Sequence, residues 1–124
     1  MRVLVADDER EVASVLASLV GVCGHEVVAT VTTGGIDVLH LYERYKPDVV
    51  LMDILMPRFN GLTICRALLS KKPAPRVILV SGKVGADYAA VAGVGASAFL
   101  SKPVSLDSLQ RALGQAAIAE PVAA

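Results

Sequence analysis

The stretch DVVLMDILMPRFNG, residues 48–61, joins a buried-strand pattern to a single charged residue at its end. Four apolar residues, 49–52, run without interruption, as is typical of a parallel strand covered on both faces. Asp53 closes the run, and Met-Pro and Asn-Gly pairs shape the loop behind it. A carboxylate at that point directs attention to the carboxyl end of the strand, where open parallel sheets bind ligands.

Short apolar runs alternate with longer helical patterns five times along the chain. This alternation predicts an α/β fold in which a parallel sheet is covered by helices. The third and fourth strands, which are the most continuously apolar, are expected to be the most buried. The predicted strands cover residues 2–6, 25–30, 48–53, 76–82 and 97–101.

The helical patterns each present an apolar stripe to the sheet. We expect Gly24 to end the first helix and Ser105 to cap the last. The Ala- and Gly-rich segment 84–96 is predicted to be the fourth helix, with the weakest intrinsic preference. The expected stripes are Val12, Val15, Leu16, Leu19 and Val20; Val38, Leu41, Tyr42 and Tyr45; Leu62, Cys65, Leu68 and Leu69; and Leu106, Leu109 and Leu113.

The length and charge of the chain limit its class. Its 124 residues suit one domain, predicted over residues 1–119 with a tail at 120–124. After Gln115 the sequence fits either the frayed end of the last helix or a linker.

Twelve basic and 12 acidic residues give zero net charge, so no overall field attracts nucleic acid or an anionic membrane. No spanning segment or signal peptide is apparent, and a cytoplasmic location is predicted.

Isolated cysteines and histidines supply no site of their own. Cys23 and Cys65 lack CxxC spacing and a nearby histidine cluster, so neither a zinc site nor a redox pair is predicted. Both are expected to be small core residues. His25 and His40 are likewise isolated and are assigned no mechanistic role.

Polar residues close four of the predicted strands. The first strand ends on Asp7 and Asp8, the third on Asp53 and the fourth on Ser81, and Lys102 follows the fifth. Carboxyl ends of parallel strands share one edge, and three carboxylates gathered there repel one another unless a cation lies between them. Oxygen ligands without cysteine or histidine suit Mg²⁺, which completes its octahedron with water and phosphate oxygens.

A phosphoryl-transfer site is the chemistry this edge indicates. Asp53 is the candidate nucleophile, since a carboxylate can attack phosphorus to form an aspartyl phosphate. Mg²⁺ and Lys102 would neutralise charge on the phosphoryl oxygens, and the Ser81 hydroxyl would donate a hydrogen bond to one of them.

Together these motifs resemble the receiver domain of two-component response regulators, of the single-domain, chemotaxis-regulator type. The resemblance extends from Arg2 to about Leu113 and rests on VLVADDE, DVVLMDILMPRFNG, LVSG and GASAFLSKP. It implies a doubly wound, flavodoxin-like fold with five parallel strands in the order 2-1-3-4-5 and helices on both faces.

The resemblance also implies roles for individual residues. A histidine kinase or phosphotransfer protein would phosphorylate Asp53, and Mg²⁺ would be held by Asp7, Asp8, Asp53 and the backbone carbonyl of Leu55. Lys102 and Ser81 would bind the phosphoryl group. The peptide bond before Pro103 would be cis.

A switch is implied as well. Ser81 would move toward the phosphate and Phe99 would rotate inward. Both movements would change a face built from the fourth and fifth helices and the fifth strand. That face would meet a downstream target protein or a missing output domain. The chain would be a phosphoacceptor without separate substrate turnover, and therefore not an enzyme.

One residue of the site departs from the commoner family pattern, and two others bear on the lifetime of the phosphorylated form. Phe99 lacks the hydroxyl of the usual tyrosine, so a partner could not read that group by hydrogen bonding. Leu55 and Lys83 occupy the positions that influence how readily water reaches the phosphoryl group. Slow self-dephosphorylation is predicted, because apolar Leu55 obstructs water and cannot orient it.

Other functions share parts of this pattern. A flavodoxin-like flavin or nucleotide binder would need a Gly- or Ser/Thr-rich phosphate loop where this chain has Asp-Asp-Glu. A hydrolase with an aspartyl phosphate intermediate would carry DxD after the first strand. A phosphorylation-independent interaction module on the same fold remains the alternative to a phosphoacceptor.

Overall fold

Five parallel strands form one sheet in a computed structural model of the chain, which describes residues 1–57, 61–82 and 93–118. Along the sheet the strands follow the order 2-1-3-4-5, so the second strand lies on one side of the first and the third, fourth and fifth strands lie on the other side. The doubly wound, flavodoxin-like prediction is confirmed. The strands are β1 (Arg2–Ala6), β2 (Glu26–Val31), β3 (Val49–Asp53), β4 (Arg76–Ser81) and β5 (Ala98–Ser101).

Helices cover both faces of the sheet. The described helices are α1 (Arg10–Val22), α2 (Gly35–Tyr45), α3 (Gly61–Leu69) and α4 (Leu106–Ile118). α1 and α4 pack against one face, and α2 and α3 against the other. The fourth helix expected from the sequence lies largely in residues 83–92, outside the described residues. The label α4 therefore denotes the last helix.

Alternating strand residues supply the two layers of the core. Val3, Val49 and Ile78 face α1 and α4, whereas Leu4 and Val50 face α2 and α3. This period of two follows from the pleat of a strand. All five residues of β3 and five of six in β4 are buried, as predicted. The strand bounds agree with the sequence-based ones to within one residue.

Two predicted core positions are wrong. The Val15 side chain is 58% exposed and that of Leu106 is 39% exposed. The buried line of α1 instead passes through Ala13, Leu16 and Val20, whose spacing of three and four keeps them on one helical face. Val15 falls beside that line. Leu106 begins α4, and the buried line of that helix starts at Leu109 and includes Leu113, as predicted, together with two alanines.

Helix termini follow the signals in the sequence. α1 ends just before Gly24, whose φ of 87° is readily adopted only by glycine. The Ser105 hydroxyl accepts a hydrogen bond from the Ser108 backbone N–H at 3.1 Å and so caps α4, as predicted. α4 continues through Ile118, so the first residues after Gln115 form the end of that helix. The predicted tail, 120–124, lies outside the described residues.

Within the described ranges, none of the helices has both the length and the apolar character required to span a bilayer.

Candidate functional site

Backbone hydrogen bonds between neighbouring strands fix the edge at which the predicted site residues lie. The Asp7 N–H donates to the Val31 carbonyl at 3.0 Å, which holds the end of β1 against β2. The Lys102 N–H donates to the Ser81 carbonyl at 2.9 Å, which holds the residue after β5 against β4. Asp53 is the last residue of β3 between them. The sheet thus positions these side chains through buried backbone.

Three carboxylates converge at this edge. Asp7, Asp8 and Asp53 can each contribute one oxygen to a group whose members all lie within 4.8 Å of one another. Asp7 is fully buried and Asp53 is 4% exposed, whereas Asp8 is exposed. Such a spacing is compatible with a shared cation, and Asp8 leaves the cluster open to solvent on one side.

Lys102 is the cation that contacts the cluster. Its Nζ lies 2.7 Å from Asp7 Oδ2 and 3.1 Å from Asp53 Oδ2. Burial lowers the pKa of Lys102, but its contacts with the Asp7 and Asp53 carboxylates outweigh this and raise the pKa above its ordinary value. The ammonium group therefore stays charged. One positive charge faces three carboxylates, so the cluster retains a negative excess.

One of the two buried carboxylates is incompletely satisfied. Asp7 Oδ1 accepts a hydrogen bond from the Glu9 N–H at 2.9 Å, but Asp7 Oδ2 accepts none of normal geometry despite its ionic contact with Lys102. Burial raises the pKa of Asp53, although hydrogen bonds from Lys102 and the Leu55 N–H oppose the rise. A buried oxygen in this state is a ready ligand for a divalent cation, and the donor set fits Mg²⁺.

Gly61 secures the loop that follows Asp53. Its N–H donates to the Ile54 carbonyl at 2.6 Å. A Cβ at position 61 would lie 2.5 Å from the Asp53 carbonyl oxygen and 2.7 Å from Ile54 Cα. No larger residue fits without moving the backbone of Asp53. The Asn-Gly pair signalled a turn in the sequence, but this contact with the residue eight positions earlier was missed.

The remaining predicted residues lie at or near the same edge. Ser81 is 6% exposed at the end of β4, and Phe99 is partly buried against the core layer of α2 and α3. Leu55 is 50% exposed. The Lys102–Pro103 peptide bond is cis, as expected. Lys83 lies outside the described residues. The functional roles of these residues, and of the Leu55 carbonyl as a ligand, stay predictions.

Residues 3–114 match the family model of the response regulator receiver domain. The chain belongs to this family. Against the chemotaxis protein CheY of Listeria monocytogenes, this receiver domain is 32% identical over 119 residues, covering 94% of the chain and 98% of that protein. Against the transcriptional regulatory protein PdtaR of Mycobacterium tuberculosis it is 35% identical over 108 residues, covering 87% of the chain but 52% of that protein.

Solved structures agree with the receiver assignment. The signal receiver domain of the response regulator NarL from Mycobacterium tuberculosis superposes with a TM-score of 0.85 at 28% identity, covering 96% of this chain and 97% of that one. A response regulator receiver domain from Clostridium thermocellum gives a TM-score of 0.83 at 30% identity, covering 93% and 92%. The receiver domain spans about half the length, or less, of several of the curated relatives it matches.

Family membership places the chain in two-component signalling. The prediction of the family is thereby confirmed. The acidic cluster lies where receiver domains have their acidic pocket.

Proposed function

We propose that this receiver domain accepts a phosphoryl group on Asp53 from a histidine kinase or a histidine phosphotransfer protein. The observation that carries the proposal is the pairing of a nearly buried Asp53 carboxylate with Lys102 Nζ at 3.1 Å, beside two further carboxylates within 4.8 Å. An ion pair built only for stability would not gather three carboxylates around one ammonium group. A phosphoryl-transfer site uses this excess of negative charge to hold a metal ion.

In the proposed reaction an Asp53 carboxylate oxygen attacks phosphorus. The bond between phosphorus and the donor's imidazole nitrogen breaks, and its electron pair stays on nitrogen. Lys102, held in place by Asp7 and Asp53, supplies positive charge at the phosphoryl oxygens, and the Ser81 hydroxyl donates a hydrogen bond to one of them. The buried β3 backbone and the Gly61 contact would hold the nucleophile at the end of its strand.

Mg²⁺ would be held by Asp7, Asp8, Asp53 and the backbone carbonyl of Leu55. When bound, Mg²⁺ supplies positive charge for the transferring phosphoryl group in addition to that of Lys102. The unsatisfied Asp7 Oδ2 and the donor chemistry of the cluster support this assignment. Lys102 would shift part of its contact from the carboxylates to the phosphoryl oxygens.

Phosphorylation would act on partners through Ser81 and Phe99. Ser81 is the last residue of β4, next to the phosphoacceptor strand, and Phe99 lies on β5 with part of its ring still exposed. The face beside β5 would bind a downstream protein or an output domain. The additional length of the longer relatives is compatible with such a domain. The chain would turn over no separate substrate and so would not act as an enzyme. Membership of the family supports a cytoplasmic location as part of the same proposal.

Intact mass spectrometry tests the phosphoacceptor directly. Wild type incubated with Mg²⁺ and acetyl phosphate is expected to gain one phosphoryl group, which Asp53→Asn and the absence of Mg²⁺ should both prevent. Asp107→Asn, which changes an exposed carboxylate on α4, is the matched control and should be labelled like wild type. If wild type takes no label from acetyl phosphate or from a phosphorylated phosphotransfer protein, the phosphorylation-independent interaction module becomes the better reading.

A further inference from the structure

Two helices hold the loop that follows the strand of Asp53. We call residues 54–57 the phosphoacceptor loop. α2 and α3 both begin on a glycine, and each of these glycines donates its backbone N–H to a carbonyl of this loop. Gly61 donates to the Ile54 carbonyl at 2.6 Å, and Gly35 donates to the Pro57 carbonyl at 3.4 Å. The second bond ties the start of α2 to a loop that lies beyond the next strand.

The start of the phosphoacceptor loop is already fixed by the sheet. The Ile54 N–H donates to the Val80 carbonyl at 3.0 Å, and the Leu55 N–H donates to Asp53 Oδ1 at 3.2 Å. Ile54 is buried in the core layer of α2 and α3, whereas Leu55 is half exposed. Past Leu55, the backbone bond that ties the loop to the rest of the described fold comes from Gly35.

The carbonyl of Leu55 differs from those of Ile54 and Pro57, which each accept a backbone N–H. Within residues 1–57, 61–82 and 93–118, the Leu55 carbonyl accepts no hydrogen bond. A peptide oxygen in this position keeps its lone pairs for another partner, and peptide carbonyls are among the oxygen ligands of hard cations. The loop thus leaves free the one carbonyl that is proposed above as a ligand of Mg²⁺.

The bond from Gly35 also meets a need of α2. The first N–H groups of a helix have no partner inside it. Gly34 precedes α2 with a φ of 139°, which favours glycine, and it has no side chain that could accept a hydrogen bond from those N–H groups. The Pro57 carbonyl takes the place of a capping side chain. Gly34 and Gly35 are both buried, so the start of α2 is packed into the fold beside the loop.

We propose that Gly35 is a positioning residue for the metal site. Its N–H fixes the far end of the phosphoacceptor loop, and the loop held in this way presents the Leu55 carbonyl to the cation. The inference rests on the proposed function, because it concerns the Mg²⁺ site described there. Gly35 comes from α2, which contributes no carboxylate to the acidic cluster. Coupling between two such interactions is reciprocal, so bound Mg²⁺ must strengthen the bond by the factor that the bond adds to Mg²⁺ affinity.

Two substitutions at position 35 separate the N–H from the space around it. Gly35→Pro removes the donor at the first helical position, where proline is well tolerated. Gly35→Ala keeps the donor and adds a Cβ. Titration of each variant with Mg²⁺, followed by ¹H–¹⁵N shifts, gives the dissociation constant. We expect Gly35→Pro to bind Mg²⁺ about two- to fivefold more weakly than Gly35→Ala, which is the effect of losing one long hydrogen bond.

Labelling by acetyl phosphate separates positioning of the metal ligand from a general loss of structure. Gly35→Pro should need a higher Mg²⁺ concentration than Gly35→Ala for half-maximal labelling of Asp53. Both variants should reach the same labelling rate at saturating Mg²⁺. A lower maximal rate at an unchanged half-saturating concentration would assign Gly35 a merely structural role and overturn the inference.

The wild type supplies a test that does not depend on the folding of a variant. Mg²⁺ should slow hydrogen exchange of the Gly35 N–H by about the same two- to fivefold factor. The Gly24 N–H is the matched control, because it also belongs to a glycine at a helix terminus and donates to the Gly21 carbonyl at 3.0 Å, at the far end of α1 from the acidic cluster. Its exchange should not respond to Mg²⁺.

Failure of the inference and failure of the proposed function give different results. Equal Mg²⁺ dissociation constants for Gly35→Pro and Gly35→Ala overturn the inference alone when the wild type still binds Mg²⁺ and is labelled on Asp53. An unchanged exchange rate of the Gly35 N–H at saturating Mg²⁺ has the same meaning. A wild type that neither binds Mg²⁺ nor takes label overturns the proposed function and this inference together.

Discussion

Replacing Gly61 by alanine should damage both the fold and the phosphoacceptor. The new Cβ would lie 2.5 Å from the Asp53 carbonyl oxygen and 2.7 Å from Ile54 Cα. Both are backbone atoms, so no flexible side chain can yield, and the loop after β3 must move. Overpacking of this kind lowers the free energy of unfolding by about 1–3 kcal/mol. For a chain of this length the melting temperature should fall by roughly 3–6 °C per kcal/mol.

The matched control is Gly114→Ala in α4. Nothing lies within 4 Å of a Cβ built at position 114, so alanine should raise the free energy of unfolding by about 0.5–1 kcal/mol through its better helix propensity. Urea unfolding of both variants gives the two shifts, and acetyl phosphate labelling of the folded proteins gives the effect on Asp53. We expect Gly61→Ala to be labelled more slowly than wild type and Gly114→Ala at the same rate. If Gly61→Ala were as stable as Gly114→Ala, the close contact with the β3 backbone would be refuted.

Four further predictions concern charges and the phosphorylated form. Lys102→Met leaves the buried carboxylates without their cation, so in the absence of Mg²⁺ it should lower the free energy of unfolding by roughly 1–3 kcal/mol after allowance for solvent screening. Urea titrations measure this loss, and added Mg²⁺ should restore part of it. An unchanged urea midpoint would contradict the prediction. Asp53→Asn should be more stable than wild type at neutral pH without Mg²⁺. The reason is that burial raises the pKa of Asp53, so at a pH above the folded-state pKa the charged carboxylate disfavours folding. The difference in stability between variant and wild type should vanish as the pH falls below the unfolded-state pKa. For Glu43 the sign is opposite, because its ion pairs with Lys46 and Lys71 lower the folded pKa to about 2 and so add stability that is present at neutral pH and lost in acid. The melting temperature of Glu43→Gln should therefore fall less steeply with decreasing pH than that of wild type. An identical acid dependence would speak against the two ion pairs. Leu55→Asn should shorten the lifetime of the phosphorylated form, followed by intact mass after removal of the phosphodonor, because an amide can orient water where leucine obstructs it; equal lifetimes would count against the role of Leu55.

Strand positions could be predicted from the sequence because a buried strand appears there as an unbroken run of apolar residues. Residues 49–52 are apolar on both faces of the pleat, and only a covered parallel strand demands this. Once five strands run parallel, the residue after each strand must lie at one edge. The encounter of Asp7, Asp53 and Lys102 therefore follows from topology, without knowledge of any side-chain conformation.

What could not be predicted depends on distances across the fold. The apolar stripe assigned to α1 was wrong at Val15, because a helix turns 100° per residue and small residues such as Ala13 can take the buried position as well as larger ones. The tight approach of Gly61 to Asp53 needs the path of the loop. Glu43 forms an ion pair with Lys46 at the ordinary i,i+3 spacing, but its other partner, Lys71, is 28 positions away on a different segment, and no spacing rule connects those two.

The excess of negative charge that suits this edge to the proposed phosphoryl transfer also weakens the fold there. β3 buries Asp53, β1 positions the buried Asp7 that follows it, and one ammonium group balances only part of their charge. A cation that binds the native cluster and not the unfolded chain adds stability by mass action, about 2.7 kcal/mol at a hundredfold excess over its dissociation constant. Since these aspartates lie on β3 or directly beyond β1, a bound cation would stabilise the packing of those two strands. A receiver whose phosphoacceptor edge was already neutral would gain little from metal or phosphate, and could not use either as a signal.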